Sequence, residues 1–396
     1  MQIEKKWISR RLRDVLSLDA MEATKMRDIA LKTEGIVRLT SGEPDFVTPD
    51  HIIEAAKKAL DESKTFYTPT NGIPEFRNAV AEKIHSESKA EIDPDSEVIA
   101  TPGAIEGIFL TIIGTINQGD EVLIPDPGYV GYPSCVKLAG GIPVSIPLKA
   151  NEGFRINPSE IEKRITSSSK MIILNSPGNP TGSVINHDDV KEIAEIAQNH
   201  DLIVLSDDAY EKIIYDGAKH HSILSVPDMK DRTIVVGSFS KTYAMTGWRI
   251  GYLVGSRDLV QALTKIQSSI VLCTNAVVQS AAVAALKGSQ NCVDEMVNEY
   301  DERRRYIVRR LNKIAGISCP MPRGAFYVFP NVREYGLDSL KLTELLIRKA
   351  KVAVYPGMSY GRQGEGHIRL SYASSLDNIK TALDRLEETL ERTIGA

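Results

Sequence analysis

Residues 233–255 read TIVVGSFSKTYAMTGWRIGYLVG and contain one lysine, Lys241. The first apolar run ends in Gly237, Ser238 and Ser240, and Gly247, Trp248 and Arg249 lead into a second apolar run. Small residues let an anion or a ring approach the backbone, the two serines can donate to it, and Lys241 and Arg249 supply positive charge. A lysine held among apolar neighbours beside another cation gives up its proton more readily, and the free amine is a nucleophile toward aldehydes. Lys241 therefore reads as a Schiff-base lysine, against the ordinary alternative of a solvated loop residue.

Ser238-Phe239-Ser240-Lys241 also matches the S-x-x-K of serine acyl-transferring enzymes, in which the serine is the nucleophile. That chemistry needs S-D-N and K-T-G as well, and the chain contains neither.

The other groups an amine-tethered ring requires each follow a short apolar run, and in open parallel sheets ligands bind beyond the carboxyl ends of the strands. After residues 97–100 comes Thr101-Pro102-Gly103-Ala104-Ile105. It opens a helix whose first N–H groups and dipole suit a phosphate, worth roughly 0.3–2 kcal/mol. After residues 121–124, Pro125-Asp126-Pro127-Gly128-Tyr129 places an aromatic where it can stack on a planar ring. After residues 171–174, Asn175 and Asn179 sit in a stiff turn, NSPGNPTG, where one amide can donate to a phenolate oxygen or simply cap the turn. After residues 202–205 stand Asp207, Asp208 and Tyr210. A carboxylate about 4 Å from a ring nitrogen cation, at an effective dielectric of roughly 20, is worth about 4 kcal/mol, enough to keep a pyridine nitrogen protonated as pyridoxal chemistry wants. Asp208 reads as a helix-start carboxylate.

The elements that hold these residues follow from the same rhythm. Short apolar strands at residues 97–100, 121–124, 171–174, 202–205 and 233–236 alternate with helical patterns such as 104–116 and 188–199. Strands spaced by helices make βαβ units and hence an α/β protein with a mostly parallel, covered sheet. Ahead of them, residues 1–39 read as an amphipathic arm, and helices are expected from Pro49 to about Leu60, capped by Thr48 or Asp50, and from Glu75 to about His85. Beyond Gln261 long helices dominate, with residues 292–314 the longest. The pattern then shifts to strands at 325–329, 352–355 and 367–372 mixed with helices at 340–349 and 376–393, which indicates a smaller α+β domain after about Gly288.

At 396 residues the chain exceeds one hydrophobic core and calls for two domains. A net charge of −4 with scattered basic residues gives no footprint for nucleic acid. Cys135, Cys273, Cys292 and Cys319 form no C-x-x-C pair, and the seven histidines include no H-E-x-x-H, so no disulfide framework, zinc site or metal hydrolysis is expected. The N-terminus lacks a signal-peptide core and no stretch approaches the roughly 20 apolar residues of a membrane helix. A soluble, cytoplasmic protein is the expectation.

GEPDFVTP at Gly42, YTPTNGIPEFR at Tyr67, NSPGNPTG at Asn175, SDDAY at Ser206, SFSKTYAMTGWRIGY at Ser238 and HIRLSYA at His367 together resemble the fold type I, class I pyridoxal-phosphate aminotransferases. The likeness is strongest to the bacterial and archaeal aspartate/aromatic subgroup and covers nearly the whole chain in order. It implies a large domain, residues 46–288, with a mostly parallel seven-stranded sheet between helices. A small domain at 289–396 and an N-terminal arm at 1–45 that joins it complete the fold. It implies pyridoxal 5′-phosphate as cofactor, with Lys241 forming the Schiff base and serving as general base and acid, and Asp207 pairing with the pyridinium. Tyr210 and Asn179 would hydrogen-bond the ring's phenolate oxygen, and Tyr129 would stack on the ring. Gly103, Ala104, Ser238, Ser240 and Arg249 would form the phosphate cup. Arg369 would clamp the substrate α-carboxylate bidentately, with Gly42 and Asn179 adding to the clamp. A homodimer follows too, Tyr67 reaching the neighbouring subunit's phosphate.

Two positions depart from the pattern. The stacking residue, commonly Trp in aspartate enzymes of this kind, is Tyr129. Aspartate-preferring members carry a lysine just after the phosphate-loop glycine to read the distal carboxylate, and here that position is Ala104. Losing such a buried partner costs a dicarboxylate on the order of 2–5 kcal/mol. The expected reaction is therefore ping-pong transfer from an L-amino acid, with aspartate, aromatic or broad specificity, to a 2-oxo acid such as 2-oxoglutarate, strict aspartate preference being weakened and aromatic, alanine-like or broad donors accepted. A β-eliminating C–S lyase or a cyclopropane-forming synthase on the same fold is the nearest alternative. A noncatalytic pyridoxal-phosphate-binding regulator is the remote one, and the chain leaves no room for a DNA-binding segment in front.

Overall fold

The computed structural model describes residues 7–16, 26 and 28–394, so part of the expected N-terminal arm, residues 1–6, 17–25 and 27, lies outside the described residues. Its strands are β1 (Val37–Arg38), β2 (Val98–Thr101), β3 (Glu121–Asp126), β4 (Ile142–Pro147), β5 (Ser169–Asn175), β6 (Ile203–Asp207), β7 (Thr233–Ser238), β8 (Gly251–Val254), β9 (Tyr327–Val328), β10 (Val352–Ala353), β11 (Tyr355–Pro356) and β12 (Ile368–Ser371).

β2 to β8 form one seven-stranded sheet in the order β2-β8-β7-β6-β5-β3-β4. Neighbours from β7 through β4 are parallel, while β8 runs antiparallel to both β7 and β2. The strands read as apolar runs because both faces are covered, and Val98–Ala100, Met171–Leu174 and Val204–Leu205 are buried with no alternation. Helices Ala104–Thr115, Gly131–Ala139 and Arg257–Ile270 pack toward one face, and Pro74–Ser88, His187–Asn199 and Ala276–Lys287 toward the other.

The antiparallel β8 has a direct consequence for the site. An antiparallel neighbour can be reached by a short return, whereas a parallel one needs a long crossover. The return from β7 to β8 is the excursion that carries Lys241 and Arg249. The second reversal, from β8 to β2, leaves β2 parallel to β7. Thr101 and Ser238 consequently face the same residue, Gly251, from opposite sides in register. The carboxyl ends of β2, β5, β6 and β7 thus open on one edge.

A second core gathers β9, β11 and β12, an antiparallel three-stranded sheet, with helices Asn291–Leu311 and Leu376–Ile394. β1 pairs with β10 in parallel, fastening the N-terminal segment to this part of the chain.

Several local expectations change. The helix Asp50–Asp61 starts at Pro49 without a side-chain cap. Thr48 cannot serve, because its hydroxyl donates to the carbonyl of Ala244 (2.7 Å) and accepts from Trp248 Nε1 (3.0 Å), and Asp50 is already inside the helix. The expected strand 352–355 is two strands, β10 and β11, which pair in different sheets. The chain bends between them to follow β1 on one side and β12 on the other. The expected strand 325–329 shortens to β9, and the expected helix 340–349 is an α-helix to Leu345 followed by a π-turn, Leu346–Ala350. Asp208 does not start a helix. It lies in a turn, accepts from Ser206 Oγ (2.7 Å) and faces His220 at 3.4 Å.

Candidate active site

A cavity of about 510 Å³ opens at the carboxyl edge of the large sheet, between it and the β9–β11–β12 sheet. Thr40, Gly42, Ala104, Tyr129, Asn179, Asp207, Tyr210, Ser238, Ser240, Lys241, Arg249 and Arg369 line it, so the ends of β2, β3, β5, β6 and β7 and the distant Arg369 converge.

Lys241 stands on the short helix Phe239–Thr242, whose start is capped by Ser238 Oγ accepting from the N–H of Ser240 (3.2 Å). Burial first, and then the guanidinium of Arg249, push its amine down to about 8. Nζ donates to the carbonyl of Gly42 (2.6 Å). A lysine that is largely shielded, satisfied by a neutral acceptor and beside a second cation is a usable nucleophile near neutral pH.

Asp207 ends β6 and is only 5% exposed. Burial pushes its carboxyl up to about 6, against the hydrogen bonds from Tyr132 OH to Oδ2 (2.6 Å) and from the N–H of Ala209 to Oδ1 (3.2 Å). Asn175, level with Asp207 on the adjacent strand, donates from Nδ2 to the Asp207 carbonyl (3.1 Å) and accepts from the N–H of Asn179 (2.9 Å). One side chain thereby fixes both the acid and the Asn179 turn.

At the opposite end, Arg249 holds a left-handed backbone, φ 53°, and donates to the carbonyls of Thr246 (2.9 Å) and Pro102 (3.4 Å). Gly103 has φ 83°, and a Cβ there would lie 2.5 Å from Arg249 Nη2. A Cβ on Gly251 would lie 2.8 Å from the N–H nitrogen of Ala104. Glycine at both positions lets the first turn of helix Ala104–Thr115 sit against Arg249 and the end of β7. Free helix N–H groups, serine hydroxyls and a guanidinium then meet at one spot, which suits a phosphate dianion.

Arg369 on β12 is buried and reaches the cavity from the second core. Nη1 donates to Asn179 Oδ1 (3.1 Å) and Nη2 to the carbonyl of Thr40 (2.8 Å), while Nε has no partner. Its guanidinium lies 4.3, 5.0 and 5.1 Å from the ring centres of Tyr327, Tyr355 and Tyr360. Tyr210 OH shares a hydrogen bond with Tyr327 OH (2.8 Å).

Of the residues assigned to the site from the sequence, Tyr67 and Gly103 do not line the cavity: Tyr67 is 85% exposed, and Gly103 backs the cavity through Arg249. Tyr132, Tyr327, Tyr355, Tyr360 and Thr40 had not been singled out. Tyr132 carried a readable signal: it follows Tyr129 by three residues at a helix start, which puts both rings on one side. The tyrosines of β9, β11 and the following turn carried none, because they come from a different sheet.

Asp208, Glu211 and His220 bring ligand-type atoms within 4.8 Å of one another. Lys83 Nζ already sits 2.6 Å from Glu211 and from Glu87, so an ammonium balances this charge cluster.

The arrangement matches a phosphorylated pyridine aldehyde. A carboxyl raised by burial would meet a ring nitrogen, a depressed amine the aldehyde carbon, and the Arg249 cup the phosphate. Similarity to known proteins agrees. The family described as "Aminotransferase class I and II" matches residues 34–386. Aspartate aminotransferase of Pyrococcus abyssi is 44% identical over 371 residues, 93% of this chain and 95% of that protein. Aromatic-amino-acid aminotransferase 2 of Thermococcus litoralis is 42% identical, covering 93% and 95%. Among solved structures, an aromatic aminotransferase from Pyrococcus horikoshii OT3 superposes with a TM-score of 0.89 at 42% identity, covering 93% of this chain and 99% of that one. The aspartate aminotransferase from Thermus thermophilus with maleate gives 0.91 at 35% identity, covering 96% and 99%. The chain belongs to the class I and II aminotransferases and is a pyridoxal-phosphate-dependent enzyme of the class I kind that transfers amino groups between amino acids and oxo acids.

Proposed function

We propose that the enzyme takes aromatic, alanine-like or a broad range of L-amino acids as donors, without strict preference for aspartate, and passes the amino group to a 2-oxo acid such as 2-oxoglutarate. The observation that carries this reading is the charge inventory of the cavity. Its lining cations among the described residues are Lys241, Arg249 and Arg369, each with a task of its own, and Ala104 and its neighbours Ile105, Ile108 and Val130 offer a distal carboxylate no partner. The test is turnover of phenylalanine, alanine and aspartate with 2-oxoglutarate. Aspartate favoured by more than about a hundredfold, roughly 3 kcal/mol, refutes it. Product analysis in the same assay separates transfer from lyase chemistry, which needs no 2-oxo acid and releases ammonia.

In this reading each residue has a definite physical job, and Lys241 and Asn179 have two. The cofactor, when bound, supplies an electron-withdrawing ring that accepts charge from the substrate Cα. Lys241 would tether it and, once the substrate amine has displaced Nζ, the freed amine would take the proton from Cα and return it. The carboxylate of Asp207, held by Tyr132, keeps the proton on the ring nitrogen. Tyr210 and Asn179 donate to the phenolate oxygen and Tyr129 packs against the ring. Gly103, Ala104, Ser238, Ser240 and Arg249 bind the phosphate. Arg369 binds the α-carboxylate, with Gly42 and Asn179 completing the clamp, and the two half-reactions alternate in a ping-pong cycle.

The working form in this reading is a cytoplasmic homodimer. Val47, Phe66 and Tyr67 are each more than four-fifths exposed, which suits a surface covered by a second copy, with Tyr67 reaching that copy's phosphate. Four free cysteines suit a reducing compartment. No helix of the described residues is long and apolar enough to cross a membrane. A core drawn mainly from residues after 289, which also takes in Leu39, supports a small domain at 289–396 joined by an arm at 1–45, beside a large domain at 46–288.

A further inference from the structure

The small sheet contributes a residue to both ends of the reaction centre. Tyr327 begins β9, is fully buried, and lies in register with Ser371 of β12, next to the strand that carries Arg369. Its ring face stands 4.3 Å from the guanidinium carbon of Arg369. Its hydroxyl is 2.8 Å from that of Tyr210, with the two rings edge-to-face at 5.8 Å. A third neighbour is Gly42, where a Cβ would come within 3.2 Å of the Tyr327 hydroxyl, and the Gly42 carbonyl in turn accepts from Lys241.

We infer that Tyr327 is a positioning residue linking the carboxylate clamp to the cofactor's phenolate end: its ring holds Arg369, and its hydroxyl donates to Tyr210. The direction of that donation follows from proton counting and rests on the reading that Tyr210 serves the phenolate oxygen. A phenol has one proton. If Tyr210 spends its proton on the cofactor, the 2.8 Å contact has a proton only when Tyr327 provides it. Both phenols stay neutral over the working range, since burial pushes each of them up. Accepting from Tyr327 polarises the Tyr210 hydroxyl and strengthens its own donation, as in any hydrogen-bonded chain of low dielectric. Arg369, stacked on the same ring, adds a fixed positive charge nearby.

The two functions separate experimentally because one belongs to the hydroxyl and the other to the ring. A hydrogen bond to the phenolate oxygen stabilises its anion and lets the lysine-linked nitrogen lose its proton at lower pH. Tyr327→Phe should therefore raise the spectroscopic pKa of the bound cofactor by about half a unit to one unit. It should lower kcat about three- to tenfold and leave KM for the amino acid within about twofold. Tyr327→Leu should show the same spectroscopic rise and also weaken both KM and the Kd of 3-phenylpropionate, a substrate-like carboxylate, by about fivefold or more. Tyr210→Phe is the reference. If it moves the spectroscopic pKa and Tyr327→Phe does not, the relay is overturned while the role of Tyr210 stands. If Tyr210→Phe leaves the pKa in place, the role of Tyr210 falls and the relay with it.

Discussion

The amine of Lys241 and the carbonyl of Gly42 meet at 2.6 Å, although 199 positions separate them in the chain. The contact parks a shielded amine on a neutral acceptor, and burial together with the nearby Arg249 outweighs the pull of the Glu43 and Asp207 carboxylates on its proton.

The first prediction concerns that amine. In cofactor-free protein, the rate at which Lys241 captures a small aldehyde should rise with pH to a midpoint near 8, well below an ordinary lysine's 10.5. Lys241→Ala should abolish this capture and lower transfer by about 10³-fold or more. Reductive trapping followed by peptide mapping checks both statements.

Asp207 should make the cofactor-free protein weaker at neutral pH. Its folded value of about 6 lies above the ordinary 3.8, so the native state binds the extra proton between those values. The contribution is most favourable below pH 4, falls as pH rises through 6, and leaves a penalty on the order of 2–3 kcal/mol above it. Asp207→Asn should raise the urea midpoint of the cofactor-free protein at pH 7, do little at pH 4, and abolish transfer. An equal midpoint shift at both pH values contradicts the assignment.

Arg369→Lys should cut kcat/KM for every amino donor by about 10²–10³-fold. Lysine keeps the charge but cannot donate to Asn179 and Thr40 while also presenting a planar pair of N–H groups to a carboxylate. Steady-state kinetics across donors check it, and a loss confined to one donor would point to a side-chain pocket instead.

Tyr67 separates assembly from catalysis within one chain. Tyr67→Phe should leave subunit mass and the folding midpoint unchanged and weaken cofactor binding about ten- to hundredfold, the worth of one hydrogen bond to a charged phosphate. Sedimentation and cofactor titration read the two quantities. Unchanged cofactor affinity removes Tyr67 from the site.

Arg304 is fully buried and held by Asp301, Asp216 and the carbonyl of Pro322. Arg304→Ala should destabilise the protein by about 2–3 kcal/mol, because it strands the buried carbonyl of Pro322 and empties the face of Tyr215, which the guanidinium covers at 4.5 Å, while the partly exposed Asp216 and Asp301 keep Arg305 as a partner. Denaturant unfolding with unchanged KM in the folded fraction is the expected pattern.

The sequence by itself determined the parallel sheet, its covered faces and most of the residues that line the cavity at the strand ends, since each of these is local. An apolar run followed by Gly103, Asn175, Asp207 or Lys241 states at once that a strand ends there and what its end presents. Thr48 shows the limit of such reading: its type and position suit a helix cap, but Ala244 and Trp248, about 200 residues away, take its hydroxyl first. The same holds for Tyr327, Tyr355, Tyr360 and Thr40, and for the split of 352–355 between two sheets. Those features depend on how the second core docks against the first. Docking is decided by side chains that meet only after both sheets exist, and no periodicity in one segment records the partner it will find.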